Sequence, residues 1–353
     1  QANYEARAQP LAGMPRHAQQ FPGDPQGDAT QRRVYDESRR NFVALVFCLM
    51  LGTAALPHIL MRSYTTPSVR AARESVAWSL FFILLLYLTA PALAVLVKFE
   101  VFNGLVGMPF DRLPPWIAGW TRVDASLVSV IDINRDGILQ LGEIRIGSDL
   151  IVLATPEIAG LPYVVSGMVA AGGLAAALST ADGLLLTIGN ALSHDLYYKL
   201  LGPDASATRR VTVSKVLLLV AALAAAAVAA QRPADILFLV TAAFSIAASA
   251  FFPALVLGIF WSRANRWGAL CGMACGLGLT LYYLIRNESW LRGLFGVKAP
   301  VELWGGILPV SAGVFGVPVG FAACVLVSLL TRAPPPEQRA FALGLRRPSP
   351  SEV

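Results

Sequence analysis

The stretch DINRDGILQLGE, at residues 132–143, has the residue types and spacing of a calcium-binding loop. It fits the pattern D-x-[DN]-x-[DN]-G-x5-E at every fixed position. In such loops, oxygen ligands at alternating positions surround Ca²⁺, and the central glycine, here Gly137, allows a sharp turn. The predicted ligands are Asp132, Asn134, Asp136, the Ile138 carbonyl, Gln140 through a water molecule, and a bidentate Glu143.

The flanks of this loop leave an alternative open, which is a polar turn without metal. The flanking stretches DASLVSVI and EIRIG predict only short helices, and the sequence offers no second loop to pair with the first. Leu139 would supply an apolar anchor. If Ca²⁺ binds, extracellular modules of this kind have dissociation constants of about 10⁻⁴–10⁻³ M, which suits a structural clamp outside the cell.

The elements around this loop are predicted to be membrane helices. The 353 residues are 56% hydrophobic and 14% charged, with a mean hydropathy of +0.59, whereas soluble domains carry about 25% charged residues. Crossing a bilayer takes about 20 apolar residues. The sequence therefore predicts an all-α polytopic membrane protein, with spanning segments at 41–61, 76–97, 161–191, 211–230, 235–261, 267–285 and 304–331.

Lys and Arg are unevenly distributed over the connecting loops. The loops at 62–73, 199–215 and 263–266, together with the end of the chain from Arg332, hold 13 of them, whereas the longer opposite loops after residue 97 hold nine. The positive-inside rule then predicts a cytoplasmic tail at 333–353, which is also expected to be disordered. The same orientation makes residues 1–40 a polar, disordered external loop, whose Arg32, Arg33, Arg39 and Arg40 run against the rule. The net charge of +6 is assigned to this orientation. The bilayer is thus an expected partner and nucleic acid is not.

The segment 99–160 is predicted to fold into a cap on the external face. It contains more acidic than basic residues, includes the calcium-like loop, and carries the aromatic and proline-rich stretch PFDRLPPWIAGW. That composition indicates a folded element and not a free linker.

The first span is predicted to be broken at mid-membrane depth. Gly52 and Pro57 interrupt an apolar run that also carries Thr53 and His58. Glycine permits unwinding and proline removes a backbone donor, and transporters use broken helices to hold ions and substrates. The alternative is a simple proline kink, with His58 near the inner interface.

The third span carries LSTADG, which places hydroxyls and a carboxylate within the membrane. Ser179 and Thr180 offer neutral oxygens that suit Na⁺, whereas Asp182 must face a cavity or a partner because a buried charge is costly. The alternative is that the hydroxyls bond back to their own helix.

Two other spans carry residues that indicate packing or gating. In the sixth span, glycines at GxxxG spacing predict close helix packing. In the fifth span, two serines and a proline either line a gate or take part in packing. These residues are Gly268, Gly272, Gly276, Ser245, Ser249 and Pro253.

Three stretches together resemble the sodium/solute symporter family, and most closely its cation/acetate symporter-like branch. They are LGTAALPHILMRSYTTPSVRAARES, LSTADGLLLTIGNALSHDLYYK and FSIAASAFFPALVLGIFWSRANRWGAL. The resemblance covers roughly residues 41–331 and implies a LeuT-type inverted-repeat fold of two five-helix repeats. This chain would supply the second repeat plus two peripheral helices. It would therefore be an incomplete C-terminal half, with the missing N-terminal helices of the same protein as its partner.

The resemblance also implies site residues and a function. Ala176, Ser179 and Thr180 match the family's sodium site, whose other ligands are backbone carbonyls of the first core helix. The broken helix with Gly52, Thr53, Pro57 and His58 would border the substrate. Asp182 matches no general family ligand and stays a candidate for ion or proton coupling.

The implied activity is Na⁺-coupled symport of a small, acetate-like monocarboxylate by alternating access. The alternative is a membrane sensor or signalling input with a symporter-like fold. An enzyme is not expected, because the sequence shows no nucleophile–base constellation and no phosphate loop. No organic cofactor is expected beside Na⁺ and a structural Ca²⁺.

Overall fold

The computed structural model describes residues 21–62, 65–231 and 236–344. Within these residues, seven helices are long and apolar enough to cross a membrane, and they coincide with the seven predicted spans. They are Ala29–Met61, Val69–Gly104, Tyr163–Lys199, Ala207–Ala230, Ile236–Phe260, Arg266–Asn287 and Pro309–Leu330. The prediction of an all-α polytopic membrane protein is confirmed.

Helices make up nearly all of the regular structure. In chain order they are α1 (Ala29–Ala55), α2 (Pro57–Arg62), α3 (Val69–Gly104), α4 (Pro115–Val123), α5 (Ile151–Ile158), α6 (Tyr163–Asn190), α7 (Ala207–Ala230), α8 (Ile236–Phe260), α9 (Arg266–Asn287), α10 (Ser289–Phe295), α11 (Gly313–Leu330) and α12 (Pro336–Gly344). A π-helical segment, Ala191–Leu201, continues α6. Two strands, β1 (Val128–Val130) and β2 (Ile144–Ile146), lie between α4 and α5 and pair antiparallel.

Helix α1 begins earlier than the sequence predicts. Residues 29–40, predicted to belong to a disordered loop, are helical, and so are Pro336–Gly344 of the predicted disordered tail. The Asp28 carboxylate accepts a 2.8 Å hydrogen bond from the backbone N–H of Gln31, which caps the first turn of α1. An exposed pair at i,i+4 spacing, Arg33 and Glu37, supports the next turn. Residues 1–20 and 345–353 lie outside the described residues.

The chain divides into two compact units. The cap unit contains residues Glu74–Asp182, and the bundle unit contains the described residues before Glu74 and those from Gly183 onward.

The bundle unit is held together by close packing of small residues. On α9, a Cβ atom added to Gly272 would meet the Gly320 carbonyl of α11 at 2.8 Å, and one added to Gly276 would collide with the Ser249 carbonyl of α8. Gly268 likewise abuts Ser328 of α11. The close helix packing predicted from the GxxxG spacing is therefore confirmed.

The cap unit has a hydrophobic cluster of its own. It joins the end of α3 to α4, β1, the calcium-like loop and α5, through the buried residues Val97, Val101, Leu105, Ile117, Val128, Leu139, Leu150 and Ala154. These residues come from five separate elements, so the segment between α3 and α6 is folded around a common core. By contrast, the apolar residues of α3 that lie between Trp78 and Leu88 are exposed, as on a helix that faces lipid.

Candidate ion and substrate sites

The first span is interrupted at one residue, next to Pro57, which is compatible with both the predicted break and the alternative of a proline kink. Helix α1 ends at Ala55, Leu56 is extended with φ −65° and ψ 117°, and α2 starts at Pro57. The residue before a proline is disfavoured in the helical region, which accounts for the position of the break. The Leu56 carbonyl then accepts hydrogen bonds from the backbone N–H groups of Ile59 and Leu60, at 3.1 and 3.2 Å.

Gly52 has a different role from the predicted one. The helix is regular through Gly52, so this glycine does not unwind the chain. A Cβ atom at this position would lie 2.5 Å from the carbonyl oxygen of Phe244, so the missing side chain lets α1 approach α8. The Thr53 hydroxyl donates to the Leu49 carbonyl at 2.7 Å, on an exposed face of α1.

A cavity of about 340 Å³ adjoins the break. It is lined by Ala55, Pro57, Leu60, Met61, Phe251, Ala254 and Leu255, all of which belong to the bundle unit. His58 is half-buried beside Pro57 and is not among the lining residues. The lining is apolar, which suits the hydrocarbon part of a small substrate; a carboxylate would need polar groups from elsewhere.

The predicted sodium residues lie on one exposed face of α6. Ala176, Ser179 and Thr180 are all exposed, as is Asp182. The Thr180 hydroxyl donates a 3.1 Å hydrogen bond to the Ala176 carbonyl, which is the bond back to the helix that the alternative interpretation expects. These residues belong to the cap unit, whereas the broken helix belongs to the bundle unit.

The calcium-like loop gathers its carboxylates. One oxygen each from Asp132, Asp136 and Glu143 lies within 4.8 Å of the others. The Asp132 carboxylate accepts hydrogen bonds from the backbone N–H groups of Arg135 and Gly137, at 2.7 and 3.1 Å. Both of these residues have positive φ, 64° and 73°, and Gly137 therefore makes the predicted sharp turn.

The two residues at the end of this loop are buried. Glu143 is only 4% exposed and Gln140 only 6%. The Glu143 carboxylate accepts from the backbone N–H of Ile133 at 2.8 Å and from that of Gln140 at 2.9 Å. The Gln140 amide nitrogen donates to the Asp136 carboxylate at 2.7 Å, which places this side chain against the carboxylate cluster. Exposed Asn134 donates to the same carboxylate at 2.9 Å, whereas the Ile138 side chain is exposed.

The backbone of this loop pairs with the stretch 107–110, although the sequence shows no second calcium-type loop. Gly107 donates its backbone N–H to the Leu139 carbonyl, and Leu139 donates to the Met108 carbonyl, each at 2.8 Å. Phe110 donates to the Gly137 carbonyl at 3.1 Å, and Pro109 forms a β-bridge with Ile138. The stretch 107–110 comes from the end of α3 and has no calcium-loop pattern, so no sequence signal identified it.

The serines of the fifth span take part in packing inside the bundle unit. Ser245 of α8 donates to the Val310 carbonyl, and Ser249 donates to the Ser245 carbonyl at 2.9 Å. Thr280 of α9, which the sequence analysis did not single out, donates to Ser249 at 2.7 Å. Pro253 of the same helix as the serines is fully buried. The packing alternative therefore describes these residues.

The class of protein follows from these observations: the chain is a multi-pass helical membrane protein with one broken helix. Residues 149–276 match the sequence model described as the sodium:solute symporter family. Over 296 residues the chain is 59% identical to an uncharacterized symporter of Cupriavidus necator, covering 83% of this chain and 43% of that protein. It is also 27% identical over 286 residues to a monocarboxylic acid transporter of Corynebacterium glutamicum, covering 80% and 45%.

The predicted resemblance to the sodium/solute symporter family, in its cation/acetate symporter-like branch, is confirmed by these matches. The relatives carry the names of transporters and not of enzymes. The chain spans less than half the length of either relative.

Proposed function

We propose that this chain is part of a Na⁺-coupled symporter for a small monocarboxylate that works by alternating access. The observation that carries the proposal is the polar stretch of α6 that contains Ser179, Thr180 and Asp182, which is exposed and lies inside the matched segment 149–276. The Asp182 carboxylate is exposed on this membrane-spanning helix, where a charge is costly unless it faces a partner or a water-filled cavity. The Corynebacterium relative is named a monocarboxylic acid transporter, which supports a monocarboxylate as the substrate.

The bond from Thr180 to the Ala176 carbonyl is compatible with a ligand role. A hydroxyl that donates its proton to a carbonyl keeps its oxygen lone pairs, which can then accept a cation. Donation into the helix fixes the Thr180 hydroxyl with those lone pairs available to a neighbour. Backbone carbonyls would complete the ligand set of Ala176, Ser179 and Thr180. They would come from the part of the symporter that corresponds to the unmatched length of the relatives.

In this mechanism, Na⁺ binding favours the outward-open state, to which the carboxylate then binds. One positive charge that moves inward across 100 mV releases about 2.3 kcal/mol, which supports accumulation of the substrate. The break at Leu56 and its adjoining cavity would border the apolar part of the substrate. Asp182 is proposed as an accessory coupling group, and the membrane is proposed to be the bacterial inner membrane with a cytoplasmic C-terminus.

The test is uptake of radiolabelled acetate by the full-length protein in proteoliposomes. Uptake should follow an imposed Na⁺ gradient and should not follow a proton gradient of the same size. Equal uptake when Na⁺ is replaced by choline would overturn Na⁺ coupling. If no small monocarboxylate was taken up or competed with acetate uptake, the proposed substrate class would be overturned. That result would favour a membrane sensor.

A matched pair of variants tests the hydroxyl. Thr187 makes the same kind of bond back to the helix, donating to the Gly183 carbonyl at 2.8 Å. Thr180→Ala should raise the Na⁺ concentration for half-maximal uptake by about tenfold, which corresponds to about 1.4 kcal/mol. Thr187→Ala should leave it within about twofold. An equal effect of both changes would show that the Thr180 hydroxyl acts on helix structure alone.

A further inference from the structure

We propose that residues 132–143 bind one Ca²⁺ and that this ion fixes α5 against α6 in the cap unit. The site would be separate from the proposed transport site, because its ligands come from the connection between α3 and α5 and not from a spanning helix. The ligands are the carboxylates of Asp132, Asp136 and Glu143, with the Ile138 carbonyl, Asn134 and Gln140 completing the set.

The spacing of the carboxylates fits a single ion. Calcium–oxygen distances of about 2.3–2.6 Å allow two ligands of the same ion to lie up to about 5 Å apart. The oxygens of Asp132, Asp136 and Glu143 lie within 4.8 Å of one another, which is within the separation that two ligands of one ion can have. Six or more oxygen ligands in an irregular shell suit Ca²⁺ better than Mg²⁺, which requires a compact octahedron.

Burial of Glu143 is the first indication that a cation belongs at this position. Moving a carboxylate out of water is unfavourable unless a charge partner or several donors compensate it. Both carboxylate oxygens of Glu143 accept backbone N–H bonds, one from Ile133 and Asn134 at 2.8 and 3.4 Å and the other from Gln140 at 2.9 Å, and these donors offset part of the cost. Among the ion pairs between residues that the structure describes, no Lys or Arg pairs with Asp132, Asp136 or Glu143. Within the part of the chain that the structure describes, no ion pair to a Lys or Arg side chain therefore offsets the repulsion among these three carboxylates.

Gln140 provides an independent indication. Only 6% of this residue is exposed, so it is more than nine-tenths buried. Its amide nitrogen donates a hydrogen bond to the Asp136 carboxylate. The side chain also faces the backbone N–H of Glu143 in a capping-box arrangement. The Glu143 N–H donates instead to the Gln140 backbone carbonyl, at 3.0 Å, and the oxygen Oε1 has no hydrogen-bond partner among the described residues. A buried acceptor without a donor is unfavourable, and a Ca²⁺-bound water would supply that donor.

Packing connects the loop to the spanning helix. Leu139 is fully buried in the hydrophobic cluster that includes Leu150 and Ala154 of α5. Leu153 of α5 packs against that cluster and lies 3.3 Å from the position of a Cβ atom at Gly173 of α6. On the other side, the backbone bonds of Leu139 to Gly107 and Met108 tie the loop to the end of α3. An ion that rigidifies the loop therefore holds α5 on the face of α6 near Ala176.

The experiment is calorimetric titration of Ca²⁺ into the full-length protein in detergent or nanodiscs, followed by hydrogen exchange of residues 151–158. We expect saturable binding with a dissociation constant of about 10⁻⁴–10⁻³ M, as in extracellular calcium modules. We also expect slower exchange in α5 when Ca²⁺ is bound, and no competition from equimolar Mg²⁺. The absence of saturable heat up to about 10 mM Ca²⁺ would overturn the proposal, since that concentration exceeds the expected constant at least tenfold.

Matched variants separate the site from general acidity. Glu143→Gln should weaken Ca²⁺ binding more than tenfold, whereas Asp149→Asn, at an exposed carboxylate outside the loop, should leave it unchanged. Because Glu143 is buried, Asp136→Asn serves as a second variant at an exposed ligand that does not touch the hydrophobic cluster. Unchanged binding in Asp136→Asn would contradict the assignment. The titration needs no transport, so its outcome is independent of whether uptake is coupled to Na⁺.

Discussion

The hydroxyl of Thr280 donates a 2.7 Å hydrogen bond to the hydroxyl of Ser249, and both side chains are fully buried between α9 and α8. Ser249 in turn donates to the Ser245 carbonyl of its own helix. Hydrogen bonds between membrane helices contribute modestly, about 0.6 kcal/mol on average, because the dissociated helices also find partners. The contact joins two helices that the close approach of Gly276 has already brought together.

Thr280→Val removes this donor and keeps the shape of the side chain. We expect a loss of about 0.5–1.5 kcal/mol in the free energy of unfolding, since Ser249 retains its bond to Ser245. The measurement is unfolding of the full-length protein in mixed micelles by sodium dodecyl sulfate. Thr280→Ser keeps the hydroxyl and is the control. If the valine variant matched the wild type while the serine variant was less stable, the methyl group and not the hydrogen bond would matter.

Two glycines of the same helix give a matched comparison of packing. Gly276→Ala places a Cβ atom against the Ser249 carbonyl, whereas Gly278 has nothing within 4 Å of the added atom. We expect Gly276→Ala to lose about 1–3 kcal/mol through overpacking. Gly278→Ala should be neutral or gain up to about 1 kcal/mol from helix propensity. Thermal unfolding monitored by circular dichroism distinguishes these outcomes, and equal stabilities would show that α8 and α9 are not in close contact.

Leu139 and Ile138 are neighbours in the cap unit with opposite environments. Leu139 is fully buried, while the Ile138 side chain is 45% exposed. Leu139→Ala should lower the free energy of unfolding of the cap unit by about 2–5 kcal/mol, as expected for a core leucine. Ile138→Ala should have little effect, because its side chain is already largely exposed to solvent. Limited proteolysis within residues 99–160 reports the difference, and similar cleavage rates would contradict the burial of Leu139.

Asn265 links the start of α9 to the end of α11. Its side-chain oxygen accepts from the backbone N–H of Gly268 at 2.9 Å, and its amide nitrogen donates to the Thr331 hydroxyl at 2.7 Å. Asn265→Ala should therefore cost about 1–2 kcal/mol. Asn265→Asp keeps the helix cap and loses the donor, so its unfolding free energy should fall between those of the wild type and the alanine variant. Equal losses in both variants would show that the cap contributes nothing.

Local signals predicted the elements well. Each of the seven apolar segments became a helix of spanning length, because hydropathy depends on nearby residues and on the thickness of the bilayer. The break next to Pro57 was predictable for the same reason, since proline restricts the residue that precedes it. The start of α1 at Ala29 was not predicted, because Asp28 and the Arg33–Glu37 pair stabilise a polar helix that has no apolar periodicity.

The sequence by itself determined that this is a helical membrane chain, and it located the interruption at Pro57 and a loop with the calcium-binding pattern. The tertiary structure decided which residues support these features. It showed that Gly52 provides a contact with Phe244 and not a hinge, and that residues 107–110 supply the pairing for the loop. It also buried Glu143 and Gln140. Such contacts join residues that are distant along the chain or depend on the whole core, so no local pattern of residues encodes them.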